Sequence, residues 1–442
     1  KADRTAVTDA DIEKIRCRMQ EIVAEDMPFR RYEAPIGDVI KLFEERGCDD
    51  KVKLLQTSGE VYMDYYMLGD FADYYYGRLV PSAGYLKVWE PERYHEGILL
   101  RMPDAGNPSE LAPVVDQPKT FSMFTEALRW NIIMGLSNAG DVNCAVLNGC
   151  ASELIQVAEA LQEKKIVQIA EDIYHRSRRR RNPLKVVLIT GPSSSGKTTF
   201  CKRLSIQLKA CGLHPVSIST DDYFVNRVET PLLPDGRYDF DNFETVDHAM
   251  LERDVARLLA GKTVDAPEFN FVTGLREFNG RKLRLTRGSV LLIEGIHALN
   301  PGLIPSVDDA LKYRIFINTL TSTSLDNHNS IPTSDNRLLR RIVRDYNKGA
   351  FTAVETIGQW PSVCAAEQQW ILPYQETADV MFNSAYLIEF AVLRNHAEAI
   401  LRTVPKNCPE YSEAHRLLKF ISYFTPVSDK EIPQTSLLRE FI

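Results

Sequence analysis

The spacing of apolar residues changes near position 184, and that change organises the chain. Ahead of it, residues 9–24 (DADIEKIRCRMQEIVA) place Ile12, Ile15, Met19, Ile22 and Val23 on one helical stripe, with Asp9 expected as the N-cap. Residues 60–102 are rich in Tyr, Val and Leu and are punctuated by Gly69, Gly77, Pro81 and Gly84, which predicts short strands and turns. Residues 152–176 predict a helix with Leu154, Val157, Ala158 and Leu161 on one face, continued by Ile166, Ile169, Ala170 and Ile173. The basic run RSRRRRN, 176–182, marks the expected boundary and reads as a solvated helix end whose arginines complement the dipole. Beyond it, apolar runs at Leu184–Ile189, Val216–Thr220, Val290–Ile293, Arg314–Ile317 and Val380–Phe382 alternate with helical stretches. Short apolar strands separated by helices predict a parallel sheet covered on both faces.

Composition narrows the class. The 442 residues are 44% hydrophobic and 26% charged, enough for two or three domains with their own cores. A net charge of -7 and a pI near 5.8 weigh against a general nucleic-acid binder. The eight cysteines are scattered, with no CxxC pair or zinc-type spacing, and read as reduced thiols of a cytoplasmic protein. No run of 18 apolar residues occurs, so no membrane helix is expected, and no signal peptide is visible.

The sharpest chemical signal follows the strand at 184–189. In KVVLITGPSSSGKTTFCKRL, Gly191, Gly196, Lys197 and Thr198 satisfy G-x-x-x-x-G-K-[ST] between a strand and a helix. Glycines let the backbone turn so that the N–H groups of Ser193, Ser194, Ser195, Gly196, Lys197, Thr198 and Thr199 converge on an anion, and the helix N-terminus adds positive potential. Lys197 would reach the outer phosphates of ATP, and the Thr198 hydroxyl would ligate Mg²⁺. Two further strands end in acids. Glu294 closes SVLLIEG and is placed to hold Mg²⁺ directly or through water. Asp221 and Asp222 close VSISTDDYF; Asp221 is the expected base or metal partner, and Asp222 a cap of the next turn.

Together these segments resemble the uridine kinase/phosphoribulokinase family of P-loop kinases over roughly 184–385. The resemblance implies a P-loop NTPase-type α/β fold, ATP and Mg²⁺ as cofactors, and Asp221 as the base that activates a nucleoside 5′-hydroxyl. It implies that Asp241, in Tyr238-Asp239-Phe240-Asp241, binds ribose hydroxyls, and that Val264–Arg276 faces the base. There Phe269 and Gly274 stand where the family reads pyrimidines with Tyr and His, while Arg276 is kept, so base identity is left open. Arg337, Arg340, Arg341 and Arg344 in DNRLLRRIVRD share one helical face and match the family's lid arginines. By that match Arg337 and Arg341 would serve catalysis, Arg340 the nucleotide and Arg344 the substrate. A further family arginine is replaced around Lys348-Gly349-Ala350. The polar stretch 319–334 is expected to be a mobile lid loop.

The front of the chain is similar to the editing-associated second domain of threonyl-tRNA synthetases, an α+β unit, through AVTDADIEKI (6–15), PFRRYE (28–33) and GDFADYYYGRLVPSAG (69–84). Tyr75 and Leu79 replace the Cys and His of the editing site, so the resemblance implies a scaffold or substrate-sensing module rather than editing. The fusion also implies a small ubiquitin-like domain ahead of Lys1, where the chain begins without Met. The expected organisation is a synthetase-like domain at 1–160, a linker helix and basic boundary at 161–183, a kinase domain at 184–385, and an extension at 386–442. That extension holds two helices (386–402 and 411–423) and a tail, SLLREFI, packed on the core or on a partner chain. The reading is a kinase of a uridine-like nucleoside; the alternatives are a kinase of another small alcohol, or a nucleotide-dependent RNA-binding or regulatory switch. Membrane and nucleic-acid partners are not expected, and a homo-oligomer is left open.

Overall fold

A computed structural model describes residues 7–104 and 106–442, so Ala6, at the head of the 6–15 stretch, lies outside the described residues. The chain divides between Gln117 and Pro118 into two compact units. In the first, helix α1 (Asp9–Ala24) precedes strand β1 (Arg30–Pro35), helices α2 (Ile36–Glu45) and α3 (Asp49–Ser58), and strands β2 (Tyr62–Leu68) and β3 (Phe71–Asp73). Strands β1, β2 and β3 form an antiparallel sheet in that order, and β4 (Glu90–Tyr94) pairs with β5 (Gly97–Arg101) as a separate hairpin. The N-cap of α1 is Thr8, not Asp9. Its hydroxyl accepts from Asp11 N while the Asp11 carboxylate accepts from Thr8 N, the reciprocal pairing of a capping box. Of the α1 stripe, Ile12 is buried. A buried ion pair, Lys51 Nζ to Asp73 Oδ1 at 2.6 Å, joins α3 to β3.

The second unit opens with α4 (Pro118–Met134), α5 (Ala139–Leu147) and α6 (Ala151–Ser177), then β6 (Val186–Thr190), α7 (Lys197–Ala210) and β7 (His214–Ser219). Helix α8 (His248–Leu259) leads to two two-stranded ribbons, β8 (Val264–Asp265) with β11 (Lys282–Leu283), and β9 (Glu268–Asn270) with β10 (Leu275–Glu277). Strands β12 (Ser289–Glu294) and β13 (Lys312–Asn318), helices α9 (Thr333–Asn347) and α10 (Ala353–Trp370), strand β14 (Val380–Asn383), and helices α11 (Glu389–Leu401) and α12 (Tyr411–Ile421) complete it. The main sheet has five strands in the order β14-β13-β6-β12-β7, all parallel. The expected strands and the doubly covered sheet are therefore present.

Every residue of β6 and β12 is buried, and the alternation of side chains divides them between two layers. Val187, Ile189, Val290 and Leu292 pack against α6 and α7 through Ile166, Ile169, Ile173, Phe200, Leu204 and Leu208. Val186, Leu188, Leu291 and Ile293 face Leu251, Val255 and Leu258 of α8 and the apolar turns at 298–307. Helix α6 thus belongs to the core of the second unit, and the division between units falls well before the basic run. Arg176 ends α6 paired with Asp172 and Asp379, while Arg178, Arg179, Arg180 and Arg181 are exposed.

Candidate active site

The loop between β6 and α7 lies at the carboxyl ends of the strands. Gly191 has a steric reason: a Cβ there would lie 2.1 Å from the Ile317 carbonyl oxygen of β13 and 2.8 Å from Ser195 Oγ. Gly196 adopts φ +85°, the left-handed conformation that starts the helix at Lys197. Gly191→Ala is accordingly expected to displace the loop and to lower stability by about 1–3 kcal/mol, as overpacked sites do, read by denaturant melts alongside ATP binding.

Lys197 Nζ donates to the Gly191 and Pro192 carbonyls at 2.9 and 3.0 Å. Burial pulls its pKa down, against the opposing fields of Glu294 and Asp221. Thr198 Oγ1 stands 3.5 Å from Glu294 Oε1. Asp221 sits in a 3-10 turn directly after β7, its N–H donating to Ser219 Oγ. Burial raises the pKa of both carboxylates; Asp221 adds to the rise at Glu294, Asp222 adds to the rise at Asp221, and Lys197 opposes both. One ammonium thus faces two acids, Glu294 buried and Asp221 half-buried, an arrangement that leaves room for a further cation. Hydroxyl and carboxylate oxygens are the hard donors Mg²⁺ takes, so Thr198, Glu294 and Asp221 fit that ion. Among the described residues no cluster of three or more His, Cys, Asp or Glu forms a metal site, and Mg²⁺ commonly makes up its shell with water and phosphate oxygens.

Asp222 is turned to other work. It pairs with Arg281 at 2.9 Å and does not cap the turn. Asp241 is drawn into the site's field: burial holds its pKa up at about 6, while Arg341 pulls it down. Its folded-state value lies above the ordinary one, so its contribution to stability falls as pH rises from the usual carboxylate range through about 6. If Asp241 accepts hydrogen bonds from ribose, the KM for the acceptor should rise as pH drops below about 6, and Asp241→Asn should flatten that dependence.

Helix α9 delivers its arginines to the loop. Arg337 Nη1 donates to Ser193 O and to Glu367 Oε1, Arg340 Nη1 to Ser194 O, and Arg341 Nη1 to Ser193 Oγ. Arg340 is fully buried against the Glu389 carboxylate and Ser384, so it braces the loop from behind with no exposed guanidinium. Arg344 folds onto the neighbouring Asp345. Leu338, Leu339, Ile342 and Val343 are buried on the other face, so α9 is enclosed on both sides. The stretch 319–334 also packs: Thr319, Thr323, Leu325, Asp326, Asn329 and Ile331 are buried, and Asp326 accepts from the backbone of His328 and Asn329.

The stretch 264–276 is held largely by contacts of its own. Phe269 is buried against Phe224 and Phe271. Arg276 pairs with Asp247, the N-cap of α8. Gly274, at φ +72°, cannot carry a side chain without meeting Arg227, whose Cβ would lie 2.8 Å away. Three residues at the site carry no motif. Glu367 of α10 accepts from Ser193 N at 2.9 Å, Glu440 accepts from Thr199, and His297 lies buried edge-on to Phe243 with its pKa pushed down to about 4 by burial.

A family model described as "Phosphoribulokinase / Uridine kinase family" matches residues 186–388. This segment is a phosphoribulokinase/uridine kinase family domain. All five strands of the parallel sheet, the phosphate loop and the arginine helix fall inside the phosphoribulokinase/uridine kinase segment. A protein named uridine kinase from Tolumonas auensis is 27% identical over 204 residues, 45% of this chain and 87% of that protein. A solved structure described as a possible uridine kinase from Bacillus stearothermophilus aligns at 17% identity with a TM-score of 0.35, over 50% of this chain and 98% of that one. The N-terminal region is similar to a threonine--tRNA ligase of Carboxydothermus hydrogenoformans, 42% identical over 81 residues, which are 18% of this chain and 13% of that enzyme. No helix among the described residues is long and apolar enough to cross a membrane.

Proposed function

We propose that the chain is an ATP- and Mg²⁺-dependent phosphotransferase acting on a small alcohol, and that the alcohol is the 5′-hydroxyl of a uridine-like nucleoside. The observation that carries the reading is the half-buried acid Asp221, set beside Lys197 and Glu294 at the phosphate loop. A base is of use where a hydroxyl must lose its proton, and a plain nucleotide switch has no such need. In this reading the loop N–H groups and Lys197 hold the triphosphate. Arg337 and Arg341 add positive charge beside Ser193, Asp241 binds ribose hydroxyls, and Asp221 receives the proton of the attacking oxygen. Mg²⁺, when bound at Thr198, Glu294 and Asp221, offsets negative charge on the phosphates. The remaining rate enhancement is positioning and fixed electrostatics.

The test is ADP formation with ATP, Mg²⁺ and a panel of uridine, cytidine, adenosine, guanosine, inosine and small sugar alcohols, with the product identified by mass. Turnover that depends on one nucleoside and yields its 5′-monophosphate is the expected result. Turnover indifferent to every acceptor sinks the proposal. Stimulation by tRNA alone would favour the switch reading, which draws on the exposed arginines at 178–181.

A further inference from the structure

The N–H groups at the start of α7 are where a nucleotide phosphate would bind. In this structure one of them is already engaged. Glu440 Oε2 accepts from Thr199 N at 3.1 Å and from Thr199 Oγ1 at 2.7 Å. The carboxylate comes from a short 3-10 helix, Leu437–Glu440, capped by Ser436 Oγ on Leu438 N. That helix is firmly seated. Leu437, Leu438 and Phe441 are each 1% exposed, and Leu437 Cδ2 would lie 3.6 Å from a Cβ on Gly196. The Phe441 ring stacks under the guanidinium of Arg340, 4.7 Å from its centroid, and Arg340 in turn holds the Ser194 carbonyl. Arg439 ties the helix back to Asp429 and the Ile432 carbonyl.

Glu367 offers the contrast. It also occupies a loop N–H, that of Ser193, but it is buried and fixed by Arg337 at 2.5 Å. Glu440 is half-buried and makes no ion pair among the described residues. Its charge is balanced by the helix N-terminus and by the field it exerts on Lys197. It is an anion in a phosphate position on a side chain that can rotate away while its apolar neighbours stay in place.

We propose that Glu440, carried by the strap Ser436–Phe441, competes with a nucleotide phosphate for the N-terminus of α7 and so sets the nucleotide affinity of the site. The inference rests on the nucleotide-binding part of the proposed function. ATP must swing the carboxylate out before Thr199 can donate to a phosphate oxygen.

The experiment is direct binding of a fluorescent ATP analogue, competed with ATP·Mg²⁺, to the wild-type chain, Glu440→Ala and the isosteric Glu440→Gln, with melting temperatures to confirm the fold. Glu440→Ala should tighten ATP about fivefold or more, the lower end of ordinary coupling between linked groups. Glu440→Gln, which keeps the shape and loses the charge, should move the same way by less. Equal affinity in all three proteins overturns the competition and leaves the kinase reading standing. Weaker ATP binding in the variants also overturns it, because Glu440 would then belong to the nucleotide complex. Absence of ATP binding in all three overturns the kinase reading, and the competition with it.

Discussion

Lys197→Ala should abolish phosphoryl transfer, with kcat/KM for ATP falling about a thousandfold, the upper end for loss of one preorganised electrostatic donor. The geometry makes the loss larger than that of one contact. The ammonium reaches back to the Gly191 and Pro192 carbonyls, which keeps it at the mouth of the loop. It also opposes the raised pKa values of Asp221 and Glu294. Without it both acids hold protons more tightly, so the base is weakened along with the phosphate grip. Lys197→Arg should not rescue, because a planar guanidinium does not fit a position shaped for a compact ammonium. Steady-state ADP release beside a melting curve is the check, and activity within tenfold of wild type would remove Lys197 from the mechanism.

Asp221→Asn should lower kcat by about 10²–10⁴-fold, the usual range for loss of a general base, with ATP affinity changed little. Asparagine keeps the shape, the Ser219 contact to its backbone and the 3-10 turn. It cannot take a proton. Burial raises the pKa of Asp221, so the wild-type rate should rise with pH through that elevated value as the carboxylate forms, and fall again as pH drops. The variant should lose this limb of the profile. Unchanged turnover, or an unchanged pH limb, would show that another group takes the proton.

The site was legible in the sequence where local pattern and function coincide. Runs such as VVLIT and SVLLIE are wholly apolar because both faces of the sheet are covered, and the loop glycines are required by backbone shape. Helix ends were legible to within a few residues: the expected 386–402 and 411–423 appear as Glu389–Leu401 and Tyr411–Ile421. Long-range pairing was not legible. A regular arginine face gives no sign that Arg340 is fully buried by Glu389, far along the chain. Glu367 and Glu440 sit in segments without any motif and reach the loop through tertiary packing. The Asn/Ser/Thr-rich stretch 319–334 reads as exposed loop by composition, yet Thr319, Thr323, Asp326 and Asn329 are buried, and Asn329 donates to the Asp326 carboxylate. The basic run suggested a domain boundary, but α6 carries its apolar stripe straight into the core beside α7.

The order of the sheet has a consequence for the protein's birth on the ribosome. Strand β6, at its centre, is flanked by β12 and β13, so the segment 186–190 waits for partners that emerge at 289–294 and 312–318. At roughly 5–20 residues per second of translation, that apolar strand has no pairing edge for several seconds. Non-local parallel pairing is also slow to nucleate once the chain is complete. Chaperone depletion during expression should therefore send this protein into aggregates before it measurably affects the stability of molecules already folded.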